Sequence, residues 1–172
     1  MKIVGIDPGK SGAAAVQYGW LGTREVYCTP FPSTNKDIVE MFTEIFKLGE
    51  NDVAYIEEVS GYIGKEHPGS RMFNFGLNYG LLLGVLECSK CRVVKVRPRV
   101  WQKGLDLGTK GDRSRFAWKR HLKEQAIEMW PDQKVTLANA DALLILSYAI
   151  NQETKQENSS ETEAVPQVEE SA

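Results

Sequence analysis

The order in which strand-like and helix-like runs follow one another limits this chain more than any other feature. Met1 to Asp7 is a short apolar run, Asp7-Pro8-Gly9 with Ser11-Gly12 is turn chemistry, and Ala13 to Tyr18 is a second apolar run. Together they predict a hairpin. Glu25 to Thr29 predicts a third strand, broken by Pro30 and Pro32. From Asp37 to Leu48 the residues Ile38, Val39, Phe42, Ile45 and Phe46 recur at helical spacing. Asp52 to Val59 predicts a buried strand, Gly61 to Ser70 a loop, Met72 to Cys88 a helix, and Arg92 to Val96 a strand halted by Pro98. A basic helix from about Asp112 to Met129 and a final helix from about Asn139 to Ile150 complete the order: three strands, helix, strand, helix, strand, helix, helix.

At 172 residues and 42% hydrophobic composition the chain suits one domain with a sizeable core. That domain is expected over residues 1–150. From Asn151 to Ala172 there are six glutamates, one lysine and no aromatic residue, so residues 151–172 are expected to form an acidic disordered tail. No apolar run reaches the ~18 residues of a membrane span, and no cleavable leader is expected. Cys28, Cys88 and Cys91 cannot all pair within one chain, which suits a reducing cytoplasm. Cys88 and Cys91 have the spacing of half a zinc site, but His67 and His121 are isolated and zinc is not expected.

The net charge of −2 conceals a segregation. The tail carries −5 and the body +3, and between Lys90 and Lys123 twelve Lys or Arg residues face only Asp106 and Asp112. Such a stretch suits a polyanion, phosphate above all; the alternative is an ordinary solvated helix face.

Carboxylates interrupt three apolar segments. Asp7 closes the first strand, Glu57 and Glu58 lie in the fourth, and Asp141 opens the last helix. Buried carboxylates are costly unless paired or bound to metal. Three converging positions would form an oxygen cage of the kind Mg²⁺ accepts.

Gly5-Ile6-Asp7-Pro8-Gly9 with Ser11-Gly12-Ala13, Tyr55-Ile56-Glu57-Glu58-Val59, and Ala140-Asp141-Ala142-Leu143-Leu144-Ile145 form a set that resembles the RuvC-type Holliday junction resolvases of the ribonuclease H-like superfamily, over roughly Met1 to Ile150. Val96-Arg97-Pro98, Trp101-Gln102-Lys103 and Trp130-Pro131 are similar to the phage and phage-derived branch. The resemblance implies an α/β domain of ribonuclease H-like fold, a mixed five-stranded sheet flanked by helices. It also implies a homodimer that cuts four-way or branched DNA junctions in a bacterial or phage-infected cytoplasm. Each active site would hold two Mg²⁺ ions, replaceable by Mn²⁺, with Asp7 bridging them and Glu57 and Asp141 as further ligands. Glu58 points to the other strand face and reads as a surface charge. Gly76, Gly80 and Gly84 line one side of their helix and mark the expected dimer interface.

In that setting Arg97, Arg99, Lys103, Lys110, Arg113, Arg115 and Lys119 are candidates for phosphate contacts. Lys110 is the first choice for a catalytic lysine and Lys103 the second. Phe73 or Phe75 either wedges against unstacked bases or packs in the core. The chain departs from the family at one point: cellular members carry a second Asp three residues before the position of Asp141, whereas here Leu137, Ala138 and Asn139 precede it. If the helix already includes residue 138, Ala138 shares a face with Asp141 and Asn139 is turned away. If Asn139 is an N-cap with extended chain before it, its amide oxygen is a candidate metal ligand. Two alternative functions follow from the same residues: a catalytically weak junction-binding protein, and a flap or hybrid nuclease on the same scaffold.

Overall fold

The structure is a computed structural model that describes residues 1–19, 25–58 and 69–163, apart from the side chains of 70, 71 and 160–163. Trp20, the stretch 61–68 with His67 where a loop is expected, and residues 164–172 of the expected tail lie outside the described residues.

Five strands form one mixed sheet: β1 (Ile3–Asp7), β2 (Ala13–Tyr18), β3 (Glu25–Pro30), β4 (Val53–Glu57) and β5 (Arg92–Val96), in the order β3-β2-β1-β4-β5. β1, β2 and β3 are joined antiparallel, while β4 runs parallel to β1 and β5 parallel to β4. The central strands are apolar on both sides because helices cover both faces. Ile3, Ala13, Ala15, Val53 and Tyr55 join one core cluster, and their alternates Val4, Ile6, Ala14, Ala54 and Ile56 join the other.

The second face is covered by α1 (Asn35–Glu40) and α2 (Gly69–Cys88). α1 is capped by Thr34, whose hydroxyl accepts from the Asp37 N–H at 3.1 Å. It does not continue to Leu48 as a regular helix but widens into a π turn over Met41–Ile45, closed by Phe46 N–H donating to the Met41 carbonyl at 2.8 Å. The first face carries α3 (Pro98–Gly104), α4 (Arg115–Met129) and α5 (Ala140–Glu163).

α3 departs from the expected order, in which Pro98 only stops β5. The proline stops the strand and also occupies the first turn of α3, where its missing N–H costs nothing. Residues 151–163, expected within the acidic tail, continue α5, which runs thirteen residues past Ile150 and through Glu163. Continuing an existing helix avoids the nucleation cost. Glu153 then becomes 5% exposed, accepting from the Tyr55 hydroxyl at 2.6 Å and from Arg92. Among the described residues no helix is long and apolar enough to cross a membrane.

Candidate active site

Strand alternation puts Ile3, Gly5 and Asp7 of β1 on one face, and Val53, Tyr55 and Glu57 of β4 on the same face. α5 lies directly across this surface. A Cβ on Gly5 would stand 2.3 Å from the Leu146 nitrogen and 2.5 Å from the Ala142 carbonyl, so only glycine permits that approach. The approach brings Asp141, in the first turn of α5, over the carboxyl ends of β1 and β4. Asp7, Glu57 and Asp141 therefore line one cleft of about 910 Å³.

Each carboxylate has a partner that fixes it. Asp7 Oδ1 accepts from the Gly9 N–H at 3.0 Å, within a turn closed by Gly12 N–H donating to the Gly9 carbonyl at 2.8 Å. That turn demands glycine at 12, where a Cβ would fall 2.0 Å from the Asp7 carbonyl oxygen. Glu57 Oε2 accepts from the indole N–H of fully buried Trp101 at 2.9 Å. Asp141 Oδ2 accepts from the ammonium of Lys119, while its Oδ1 is buried with no hydrogen-bond partner among the described residues.

The group is electrostatically unbalanced. Burial, with the nearby Asp7 charge next in weight, pushes the Glu57 carboxyl up to about 7, against the pull of the Trp101 hydrogen bond. Burial and Asp141 raise Asp7 as well, and Lys119 and the Gly9 N–H only partly offset them. Burial alone would lower Lys119; the Asp141 charge and hydrogen bond, with Asp7 and Glu57, outweigh it and hold the ammonium above the ordinary lysine range. Among the described residues the cation that acts on Asp7, Glu57 and Asp141 together is Lys119.

No three His, Cys, Asp or Glu side chains among the described residues stand at metal-ligand spacing, and Lys119 takes Asp141 Oδ2 instead. The donor set nonetheless fits a hard divalent cation. It offers all-oxygen ligands, an excess of negative charge, and one carboxylate oxygen buried without a partner.

The candidate residues divide clearly. Asp7, Glu57, Asp141, Arg115 and Lys119 meet at the cleft. Lys110 and Lys103 are exposed and are not among its lining residues; the lysine that reaches the carboxylates is Lys119, one turn after Arg115 on the side of α4 that meets α5. Arg97 donates to Glu58 Oε2 at 2.9 Å on the other strand face. Arg99 is exposed, and Arg113 lies 5.7 Å from the Trp118 ring centre. Phe75 lines the cleft, whereas Phe73 points to solvent at 67% exposure.

Asn139 is a correction. Its Oδ1 accepts from the Thr136 N–H at 2.6 Å and hydroxyl at 3.0 Å, and its Nδ2 donates to the Lys134 carbonyl at 3.1 Å. A turn precedes α5, closed by Ala140 N–H donating to the Thr136 carbonyl at 3.1 Å, so residue 138 shares the face of 141 and lines the cleft while Asn139 turns into the fold. The amide is spent on structure, and the residue that shares the face of Asp141 in the cleft is Ala138.

Four residues at or beside the cleft escaped the sequence reading: Lys10, Trp101 as the Glu57 donor, Phe116 and Arg120. Lys10 sits between the glycines of the first turn, a signal present in the sequence. Phe116 and Arg120 are four apart on a helix, also legible. Nothing local marks Trp101 as the partner of Glu57.

No family model matches the chain, and no curated protein matches its sequence. Solved structures do match. The Thermus thermophilus RuvC structure is 15% identical, covering 90% of this chain and 98% of its own at a TM-score of 0.53. T. thermophilus RuvC in complex with Holliday junction substrate is 14% identical with the same coverage and a TM-score of 0.57. Fowlpox virus resolvase in complex with substrate Holliday junction DNA is 17% identical over 87% of this chain and 99% of its own, at a TM-score of 0.44. By its strand order, its helices on both faces and its likeness to T. thermophilus RuvC over 90% of its length, the chain has the RuvC-type, ribonuclease H-like fold.

Proposed function

We propose that this protein is a divalent-metal-dependent endonuclease that cuts four-way or branched DNA junctions as a homodimer in the cytoplasm. The observation that carries the reading is the convergence of Asp7, Glu57 and Asp141, from β1, β4 and α5, in a cleft rimmed by Lys10, Arg115 and Lys119. Carboxylates alone would repel a phosphate; carboxylates that hold a cation, inside a basic rim, attract and polarise it. The likeness to a resolvase complexed with Holliday junction substrate supports DNA of that shape over a simple duplex. Three free cysteines agree with a reducing compartment.

Asp7, Glu57 and Asp141 would hold Mg²⁺ or Mn²⁺, which supplies acidity for an attacking water and positive charge for the phosphate. The family resemblance implies two ions, but with Ala138 in the fourth position the protein ligands suffice for one strong site. The chain's own groups do the rest. The Gly9 N–H and the Trp101 indole hold the Asp7 and Glu57 carboxylates in place. Lys119, released from Asp141, offers its ammonium to the negative charge that develops at phosphorus. Arg115 and Lys10 hold the phosphate backbone without reading bases.

Dimerisation is supported by the outer face of α2. Gly76, Gly80 and Gly84 are exposed there, no described residue lies within 4 Å of a Cβ built on them, and Phe73 and Leu77 beside them are 67% and 56% exposed. Such a face suits a second copy, whose two-fold axis would pair the cuts. One observation, Ala138, favours a second reading, a junction-binding protein of weak activity. Cutting assays on four-way junctions, flaps and RNA–DNA hybrids, with and without Mg²⁺, separate these readings. Paired cuts in the junction are expected, and cutting confined to flaps or hybrids would overturn the proposal.

A further inference from the structure

Resting on the nuclease reading, we infer that Phe116 and Arg120 form a stacking platform at the lip of the active cleft. It takes an unstacked base beside the scissile phosphate.

Phe116 is the second residue of α4, held by the Ser114 cap, whose hydroxyl accepts from Ala117 N–H at 3.1 Å. Aromatic rings at such places ordinarily turn inward. Trp118, two residues on, does so at 8% exposure, yet Phe116 remains 60% exposed while lining the same cleft as the three carboxylates. Exposing that much ring forgoes the stability its burial would give, and among the described residues the hydrophobic clusters do not include it. The guanidinium of Arg120, one turn on, stands 5.2 Å from the ring centre and steadies one face.

The surroundings choose the ligand. Arg115 and Lys119 stand within one turn of Phe116 and line the cleft with it, so an apolar plane lies among phosphate-binding cations. A peptide or lipid partner would need more apolar surface than one ring. A nucleotide needs what is there: charge for its phosphate and a flat apolar surface for its base. Base stacking is indifferent to sequence but requires an unpaired or unstacked base, which a branch point supplies and a duplex does not. The platform therefore favours branched over continuous DNA at the point of cleavage.

The test uses the full chain with a synthetic four-way junction and a duplex of the same sequence, in Ca²⁺ for binding and Mg²⁺ for cutting. Phe116→Ala and Phe116→Leu should weaken junction binding about tenfold, the loss of one stacked base, with duplex binding unchanged. Phe116→Trp should retain binding, and its added indole emission should be quenched by the junction more than by the duplex. The salt dependence of binding should be the same in all variants, since every phosphate-binding cation is kept. All should melt with the parent, because the ring is solvent-exposed. Phe116→Ala binding the junction like the parent, or Phe116→Leu retaining the preference, overturns the platform while leaving the nuclease reading intact. A parent chain that binds no DNA overturns both.

Discussion

Lys119 donates to one oxygen of Asp141 while the other, Oδ1, is buried with no partner among the described residues. The site thus holds its carboxylates with less positive charge than they need. A carboxylate-to-amide change at Asp7 removes charge from this group but leaves the rim of Lys10, Arg115 and Lys119 in place. Asp7→Asn should lower cutting by at least ~100-fold with junction binding retained, as removing a metal ligand does more harm than removing a group that only supports one. Cleavage and gel-shift measurements on one preparation check this.

Metal stoichiometry follows from Ala138. Three carboxylates opposed by one ammonium leave negative charge for a single divalent ion. Titration calorimetry should give one Mn²⁺ bound tightly per chain. Ala138→Asp, on the face of Asp141, should add a second ion and raise activity at ordinary Mg²⁺. Asn139→Asp should add none, because that side chain faces Thr136 and Lys134, and loss of its hydrogen bond to the Lys134 carbonyl should cost about 1 kcal/mol of stability. Two tight ions in the parent would contradict the assignment.

The raised Glu57 carboxyl makes stability depend on pH. Its ordinary value is 4.5, and the fold lifts it to about 7. The folded chain therefore binds a proton that the unfolded chain releases, so this contribution is complete below 4.5 and is lost as pH rises through about 7. Asp7 is raised in the same direction and adds to the loss. In a chelator, the gap in melting temperature between Glu57→Gln and the parent should widen in favour of the variant from pH 5 to pH 8. A constant gap would show that Glu57 is not the group that titrates.

The continuation of α5 is a stability element. Truncation after Asn151 removes Glu153 and leaves the Tyr55 hydroxyl, on a side chain only 3% exposed, without its acceptor. The loss should be about 1–3 kcal/mol, read as a lower denaturation midpoint. Truncation after Glu163 should leave the midpoint unchanged.

Neutralising Arg113 and Arg115 together should weaken binding to junctions of every sequence and flatten the salt dependence, by about one unit of slope for each phosphate no longer neutralised. Binding measured from low to high salt checks this, and an unchanged slope would move the DNA surface away from the start of α4.

Taken alone, the sequence determined which face of each strand carries chemistry. Alternation along Ile3-Val4-Gly5-Ile6-Asp7 puts Asp7 with Gly5, and alternation along β4 separates Glu57 from Glu58, which the structure turns to Arg97. These are local periodicities, fixed by backbone geometry; they made the element order and the carboxylates set in apolar runs legible, while the fold was legible only through the motif set that resembles the RuvC-type resolvases. Tertiary structure alone decided which of the lysines between Lys90 and Lys123 reaches the carboxylates. Charge makes Lys103, Lys110 and Lys119 equivalent, and only the packing of α4 on α5 selects Lys119. It also decided the fate of Asn139, whose amide satisfies a turn, and the length of α5, whose polar end is held by Tyr55 nearly a hundred residues away in sequence. Periodicity says which side of an element faces inward; what it meets there depends on close approaches such as that of α5 over Gly5, which no local pattern encodes.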